Sequence, residues 1–263
     1  MNIAIIGCGN MGGAIARGIA SNPVFFQDNK LAVANRTAPK LDALKAEFPQ
    51  IEISTDNSKV VRDADIVILA VKPWLVDKVL DEVFEVVDKS QLIVSVASGV
   101  TIEHLRSLLQ GEDGCPTIIR AIPNTAISIG ESMTVVAHAG AAEADVETVV
   151  KIFSAMGKAM AIEERLMGAA TALCSCGTAY ALRYVRAAVE GAVEMGIPPK
   201  QAQEMVCQTV IGAVELLQQT GSHPEVEIDK VTTPGGVTIK GLNTMEECGF
   251  TNAVIKGLKA SNN

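Results

Sequence analysis

Six residues near the start of the chain have the types and spacing to hold a phosphate. Gly7-Cys8-Gly9-Asn10-Met11-Gly12 reads G-x-G-x-x-G, just after an apolar run at 3–6 and at the head of a helical pattern over 11–20. In that context each glycine has its own task. Gly7 permits a tight turn, Gly9 lets backbone approach a pyrophosphate, and Gly12 lets helix and strand pack closely. The phosphate then meets the positive end of the helix, where unpaired N–H groups point at it. A structural glycine turn is the competing reading. The strand–helix repeat that follows favours dinucleotide binding, with Gly7, Gly9, Asn10, Met11 and Gly12 as the candidate residues.

The end of the second strand selects the cofactor. It reads Ala34-Asn35-Arg36-Thr37. An NAD site usually carries an acidic residue there, which accepts from the ribose 2′-OH. No carboxylate is present. Arg36 can pair bidentately with a 2′-phosphate, and Asn35 and Thr37 can donate to it. The expectation is NADPH, with NADH as the second option. An ordinary solvated side chain is the competing reading of Arg36.

The other reactive residue types form no comparable pattern. The six cysteines, at 8, 115, 174, 176, 207 and 248, include no C-x-x-C pair, and reduced cysteines acting as small hydrophobes explain them. His104, His138 and His223 are scattered and have no metal-ligand spacing, so no metal is expected.

The elements that must position these groups follow from periodicity. Apolar strands at 3–6, 31–34, 51–53, 65–71, 92–96 and 117–122 alternate with helices at 11–20, 41–48, 76–87 and 102–109. Such alternation predicts a parallel sheet covered on both faces. Edge strands at 133–137 and 159–162 flank a helix at 142–156. From residue 163 no convincing strand occurs. Residues 164–195 read as one long Ala-rich helix. Pro198 and Pro199 restart the chain into a helix over 201–219. A polar segment with Gly221 and Pro224 follows, then a loop at 232–236 and two last helices. The reading is a Rossmann-type, doubly wound α/β domain over 1–162 and an all-α domain over 163–263.

Composition narrows the function classes. The chain has 263 residues, 48% of them hydrophobic but only 3% aromatic, so its core must be aliphatic. A net charge of -8 argues against a nucleic-acid partner. No apolar run reaches membrane-spanning length. The first strand begins directly after the initial Met, which leaves no room for a signal peptide. A cytoplasmic protein is expected.

A later segment carries a family resemblance. Val231-Thr232-Thr233-Pro234-Gly235-Gly236-Val237-Thr238-Ile239-Lys240-Gly241-Leu242-Asn243-Thr244-Met245-Glu246 resembles the signature of pyrroline-5-carboxylate reductases. Family-like blocks also occur in order at 6–12, Ala70-Val71-Lys72-Pro73, Ser98-Gly99-Val100-Thr101-Ile102, Pro123-Asn124-Thr125 and 171–180, so the resemblance spans nearly the whole chain. It implies hydride transfer from NADPH to the C=N bond of 1-pyrroline-5-carboxylate, giving L-proline. It also implies a helical dimerisation domain, with the imine site where the two domains meet. In the family's terms Thr238 would bond the imine or ring nitrogen. Ala70, Val71, Lys72 and Pro73 would contact the cofactor, largely through backbone. Asn57 would reach its ribose side, and Asn124 would order the turn near the nicotinamide.

Thr233, Pro234, Gly235 and Gly236 form a turn running into a helix. Its N–H groups suit the carboxylate of such a substrate. The imine can arrive protonated, so no strong acid is demanded. The block at 171–180 departs from the family pattern T-G-L-S-G-S-G-P-A-Y. Cys174 and Cys176 replace serines, Ser175 a glycine and Thr178 the proline, while Thr171, Gly177 and Tyr180 remain. Small residues such as Ala169, Ala170, Ala187, Ala188 and Gly191 would allow close helix approach in a homodimer; further assembly stays open. Two other readings remain: an NADP-linked two-domain β-hydroxyacid dehydrogenase, using Lys200, Lys230 or Lys240 as acid/base, and a non-enzymatic dinucleotide sensor.

Overall fold

A computed structural model of the chain describes residues 1–22, 29–112 and 114–262. Strands and helices alternate through β1 (Asn2–Ile6), α1 (Asn10–Ala20), β2 (Lys30–Ala34), α2 (Ala38–Glu47), β3 (Glu52–Ser54), α3 (Asn57–Val61), β4 (Ile66–Leu69), α4 (Val76–Val83), β5 (Leu92–Ser95) and α5 (Ile102–Leu109). Then come β6 (Thr117–Ile122), β7 (Ser132–His138), α6 (Glu143–Ser154) and β8 (Gly157–Ala161). Among the described residues the strands form one eight-stranded sheet in the order β3-β2-β1-β4-β5-β6-β7-β8. The first six follow the doubly wound order, whose direction switches between β1 and β4. All neighbours are parallel except β6 and β7, which run antiparallel.

Period-2 alternation fills both faces. Ile3, Ile5, Leu31, Val33, Ile66 and Ile68 face one way, against Ile15 and Ile19 of α1, Leu41 and Leu44 of α2 and Phe153 of α6. Ala4, Ile6, Ala34, Val67, Leu69 and Ile93 face the other way, against α3, α4 and α5 through Val60, Leu80 and Leu105. Aliphatic side chains dominate both layers.

The chain divides into two compact units, 1–175 and 176–263. The expected break near 162 falls thirteen residues earlier. The intervening residues stay with the first unit because Met167 joins Ile122, Val135 and Ala137 in a third small core, and Glu164 is bonded to Arg120.

The expected single helix over 164–195 is interrupted. A 3₁₀ turn at Glu164–Leu166 leads to α7 (Met167–Ala170), a π-helical stretch at Thr171–Cys176 and then α8 (Gly177–Glu194). α9 (Pro199–Thr220) begins with proline at N1 and ends at Gly221 with φ +67°. α10 (Pro224–Val231) was expected as irregular chain. Pro224 is instead its N1 residue, and His223 caps it by accepting from Glu225 N–H. α11 (Val237–Glu247) and α12 (Phe250–Ala260) complete the second unit.

Candidate functional site

The carboxyl ends of β1, β2 and β4 converge on the glycine turn. Gly7 N–H donates to Ala34 O at 2.8 Å, which fastens the turn to the end of β2. Gly7 has φ +103°, and a Cβ there would collide with the Ala70 carbonyl. A Cβ on Gly12 would collide with the Gly7 carbonyl. These two glycines are therefore demanded by packing. Gly9 differs, because a Cβ there meets nothing within 4 Å. Bare backbone thus borders open space at the start of α1, whose N-cap, Gly9, has no side-chain hydrogen bond. The first N–H groups of that helix lack intrahelical partners and suit an anion.

Cys8, inside the turn, is buried. Burial pushes its thiol above the ordinary value, and Arg17 and Lys40 pull weakly the other way. The thiol is thus protonated at neutral pH. Its contribution to stability is complete below the unfolded thiol's pKa and declines as pH rises through it. No disulfide joins the six cysteines.

The loop after β2 differs from expectation in its bonding. Asn35 Oδ1 accepts from Cys8 N–H at 3.1 Å. Asn35 Nδ2 donates to Thr37 O at 2.9 Å and to Thr37 Oγ1 at 3.2 Å. The amide nitrogen is engaged within the loop, where the residue type alone suggested a donor to the 2′-phosphate. The Thr37 hydroxyl, an acceptor here, keeps its own proton to give. Arg36 is exposed and has no hydrogen-bond or ion-pair partner among the described residues.

Asn57 also has another partner. Its Nδ2 donates to Glu82 Oε2 at 2.9 Å, tying α3 to the end of α4, while Asp56 caps α3. In this arrangement its amide braces two helices. Ala70 N–H donates to Ile6 O at 2.8 Å, so residues 70–73 leave β4 beside the glycine turn. Lys72 Nζ lies 5.9 Å from the centre of the Trp74 ring, a cation–π pair on the surface. Buried Asn124 orders its turn. Its Oδ1 accepts from Ala126 N–H at 3.0 Å and its Nδ2 donates to Cys174 O at 3.1 Å. A π-helical register leaves carbonyls offset from the ordinary ladder, and Asn124 satisfies one of them.

In the second unit, Thr233, Pro234, Gly235 and Gly236 form a turn closed by Gly236 N–H donating to Thr233 O at 2.9 Å. Proline at its second position and Gly235, with φ +72°, at its third make it type II. Gly236 caps α11 without a side-chain hydrogen bond. Thr238 stands in the first turn of α11, exposed, and its hydroxyl has no partner among the described residues. It does not cap its own helix.

The sequence reading missed a charged pair with a buried arginine. Arg120 Nη1 donates to Glu164 Oε1 at 3.0 Å, and the same oxygen accepts from Ile102 N–H at 2.8 Å. Arg120 lies inside an apolar strand, and that was the available signal: a buried arginine requires a carboxylate. No group of three or more His, Cys, Asp or Glu that could hold a metal occurs among the described residues. No helix there is long and apolar enough to cross a membrane.

Comparison with known proteins decides the family. The chain is 41% identical over 273 residues to pyrroline-5-carboxylate reductase 2 of Dictyostelium discoideum, covering 99% of this chain and 90% of that protein. The chain belongs to the pyrroline-5-carboxylate reductase family. Residues 164–263 match the family model for pyrroline-5-carboxylate reductase dimerisation, and residues 2–99 match that for NADP oxidoreductase, coenzyme F420-dependent. A solved pyrroline-5-carboxylate reductase from Coxiella burnetii superposes with TM-score 0.89 at 29% identity, covering 99% of this chain and 95% of that one. A Plasmodium falciparum pyrroline carboxylate reductase with NADP bound superposes with TM-score 0.86 at 26% identity, with the same coverage. As a member of this reductase family, the chain is an oxidoreductase with an N-terminal Rossmann-like domain and a helical C-terminal dimerisation domain.

Proposed function

We propose that this chain reduces the C=N bond of 1-pyrroline-5-carboxylate with hydride from NADPH and releases L-proline. The observation that carries this is similarity along the entire chain to a named reductase, 41% over 99% of the residues. When bound, the nicotinamide supplies the hydride; the protein orients and stabilises. Gly7, Gly9, Asn10, Met11 and Gly12 would hold the pyrophosphate through backbone N–H groups. The open space over Gly9 fits a phosphate there. Exposed Arg36 would pair with the 2′-phosphate, framed by Asn35 and Thr37. Ala70, Val71, Lys72 and Pro73 would line the cofactor, with Asn57 and Asn124 bracing the elements around it.

In the second unit, the N–H groups of the turn at Thr233, Pro234, Gly235 and Gly236 would receive the substrate carboxylate. Thr238, with an uncommitted hydroxyl, would bond the ring nitrogen. We assign residues 1–162 to dinucleotide binding and 163–263 to substrate binding and homodimer formation, so that 163–175 pack with the first unit while sharing the role of the second. Cysteines without disulfides suit the reducing cytoplasm. No observation favours a β-hydroxyacid dehydrogenase or a non-enzymatic sensor. Lys230, one candidate base for the former, is paired at 2.7 Å with Glu227.

The test is the loss of NADPH absorbance on adding pyrroline-5-carboxylate to the purified chain, with proline assayed as product. Oxidation with stoichiometric proline is expected. Inertness toward this imine alongside turnover of a β-hydroxyacid would replace the reading with the dehydrogenase one.

A further inference from the structure

The amide of Asn35 spans two parts of the cofactor-binding edge that come from different places in the sequence. The β1–β2 ladder ends at the pair Ile6 and Ala34, and the backbones then part around the glycine turn. Gly7 N–H still reaches Ala34 O at 2.8 Å. One residue further on, Cys8 N–H finds the side-chain oxygen of Asn35 at 3.1 Å instead of a backbone carbonyl. Asn35 thus adds one rung to the ladder after the strands have diverged. Its other end is held, since Nδ2 donates to Thr37 O and Thr37 Oγ1 at 2.9 and 3.2 Å. The partners fix the orientation of the amide: Cys8 N–H can only donate and Thr37 C=O can only accept. Cys8 Sγ adds a weak contact to Lys40 O at 3.8 Å.

We infer that Asn35 is a positioning residue rather than a ligand of the 2′-phosphate: it locks the glycine turn to the loop that carries Arg36. The inference rests on the NADPH reading above. The Cys8 N–H, satisfied by Asn35, is withdrawn from phosphate binding, and the turn is held so that the amides from Gly9 onward face the anion. The pyrophosphate is common to NADPH and NADH, whereas the 2′-phosphate is not. A residue that acts by shaping the turn must therefore affect both cofactors, and a residue that touches the 2′-phosphate only one.

Dissociation constants for NADPH and NADH, by fluorescence titration, separate these cases in Asn35→Ala, Asn35→Asp and Arg36→Ala. Asn35→Ala is expected to weaken both cofactors by the same factor, roughly tenfold, the scale of one lost hydrogen bond. Asn35→Asp keeps an acceptor for Cys8 N–H and should restore NADH binding to within about twofold of the parent, on the same scale. Its carboxylate would repel the 2′-phosphate, so NADPH should stay weak. A loss confined to NADPH in Asn35→Ala, or no loss with either cofactor, overturns the inference. If Asn35→Ala does not fold, Asn35→Ser, too short to reach Cys8, makes the same comparison. Arg36→Ala should weaken NADPH alone. If it weakened NADH equally, the 2′-phosphate reading would fail, while the Asn35 result, read on NADH, would still stand or fall by itself.

Discussion

Thr238 carries an exposed hydroxyl with no partner among the described residues, beside the turn proposed for the substrate. In the first turn of a helix a threonine hydroxyl commonly finds a backbone partner. Threonines further along this chain's helices bond the carbonyl four residues back, as Thr171 Oγ1 donates to Met167 O and Thr209 Oγ1 to Met205 O. Thr238 does not. It is exposed, and the type II turn before it leaves Gly236 as an uncapped helix start. The hydroxyl is therefore available to donate to, or accept from, a nitrogen whose charge changes during hydride transfer. Thr238→Ala should lower kcat/KM for the imine by roughly tenfold to a hundredfold, the scale of one hydrogen bond to a charged group. NADPH binding should be unchanged. Steady-state kinetics with varied imine checks this, and full activity in the variant would reduce Thr238 to a surface residue.

At the scale of elements, the pair Arg120–Glu164 organises the end of the first unit. It joins β6, the N-terminus of α5 and the 3₁₀ turn before α7, because one carboxylate oxygen serves both Arg120 and Ile102 N–H. Thr101 caps the same helix by accepting from His104 N–H. The Arg120 side chain is 8% exposed and that of Glu164 28%. Among the described residues Arg120 Nε is buried without a partner, so the guanidinium relies heavily on this one acid. Glu164→Ala should cost roughly 3 kcal/mol, the low end for breaking a buried pair because Glu164 is partly solvated. Equilibrium urea unfolding would measure it, and a loss well under 1 kcal/mol would mean that solvent replaces the carboxylate.

At the scale of the molecule, the two units bury apolar surface very differently. The first has layered cores on both sheet faces. In residues 176–262 only Ala192 and Ala202 are buried hydrophobics, while Leu182, Met195, Ile211 and Val254 are among many left exposed. An apolar groove lined by Tyr180, Tyr184, Ala187, Ala188, Phe250 and Val254 runs along this surface. Helices with so much uncovered apolar area need a partner surface, and the family model matched here is one for dimerisation. Sedimentation at micromolar concentration should give a dimer mass for the full chain. Introducing charge with Leu182→Asp and Val254→Asp together should shift it toward monomer. A monomeric parent chain would contradict the homodimer.

What could be read from the sequence was what is decided within a few residues. The strands of the doubly wound sheet show in runs such as Ile66–Leu69, because each side chain alternates between two covered faces. The turn at Gly7 and Gly12 shows because no other residue fits where the Ala70 and Gly7 carbonyls crowd in. The turn at Pro234-Gly235 shows because proline and glycine each meet one dihedral demand of type II. Tertiary structure decided the pairings between distant segments. The residue type of Asn35 permits donation to phosphate; only the sheet order brings Cys8 N–H, 27 positions away, to its oxygen. Asn57 meets Glu82 across 25 positions and Arg120 meets Glu164 across 44, and no local periodicity encodes either meeting. The helix expected over 164–195 was broken for the same reason. Helical pattern is local, whereas the π-helical stretch at Thr171–Cys176 has its Cys174 carbonyl held by Asn124, fifty residues earlier. A polar side chain has several equally good partners in an extended chain, and which one it keeps depends on which strands become neighbours.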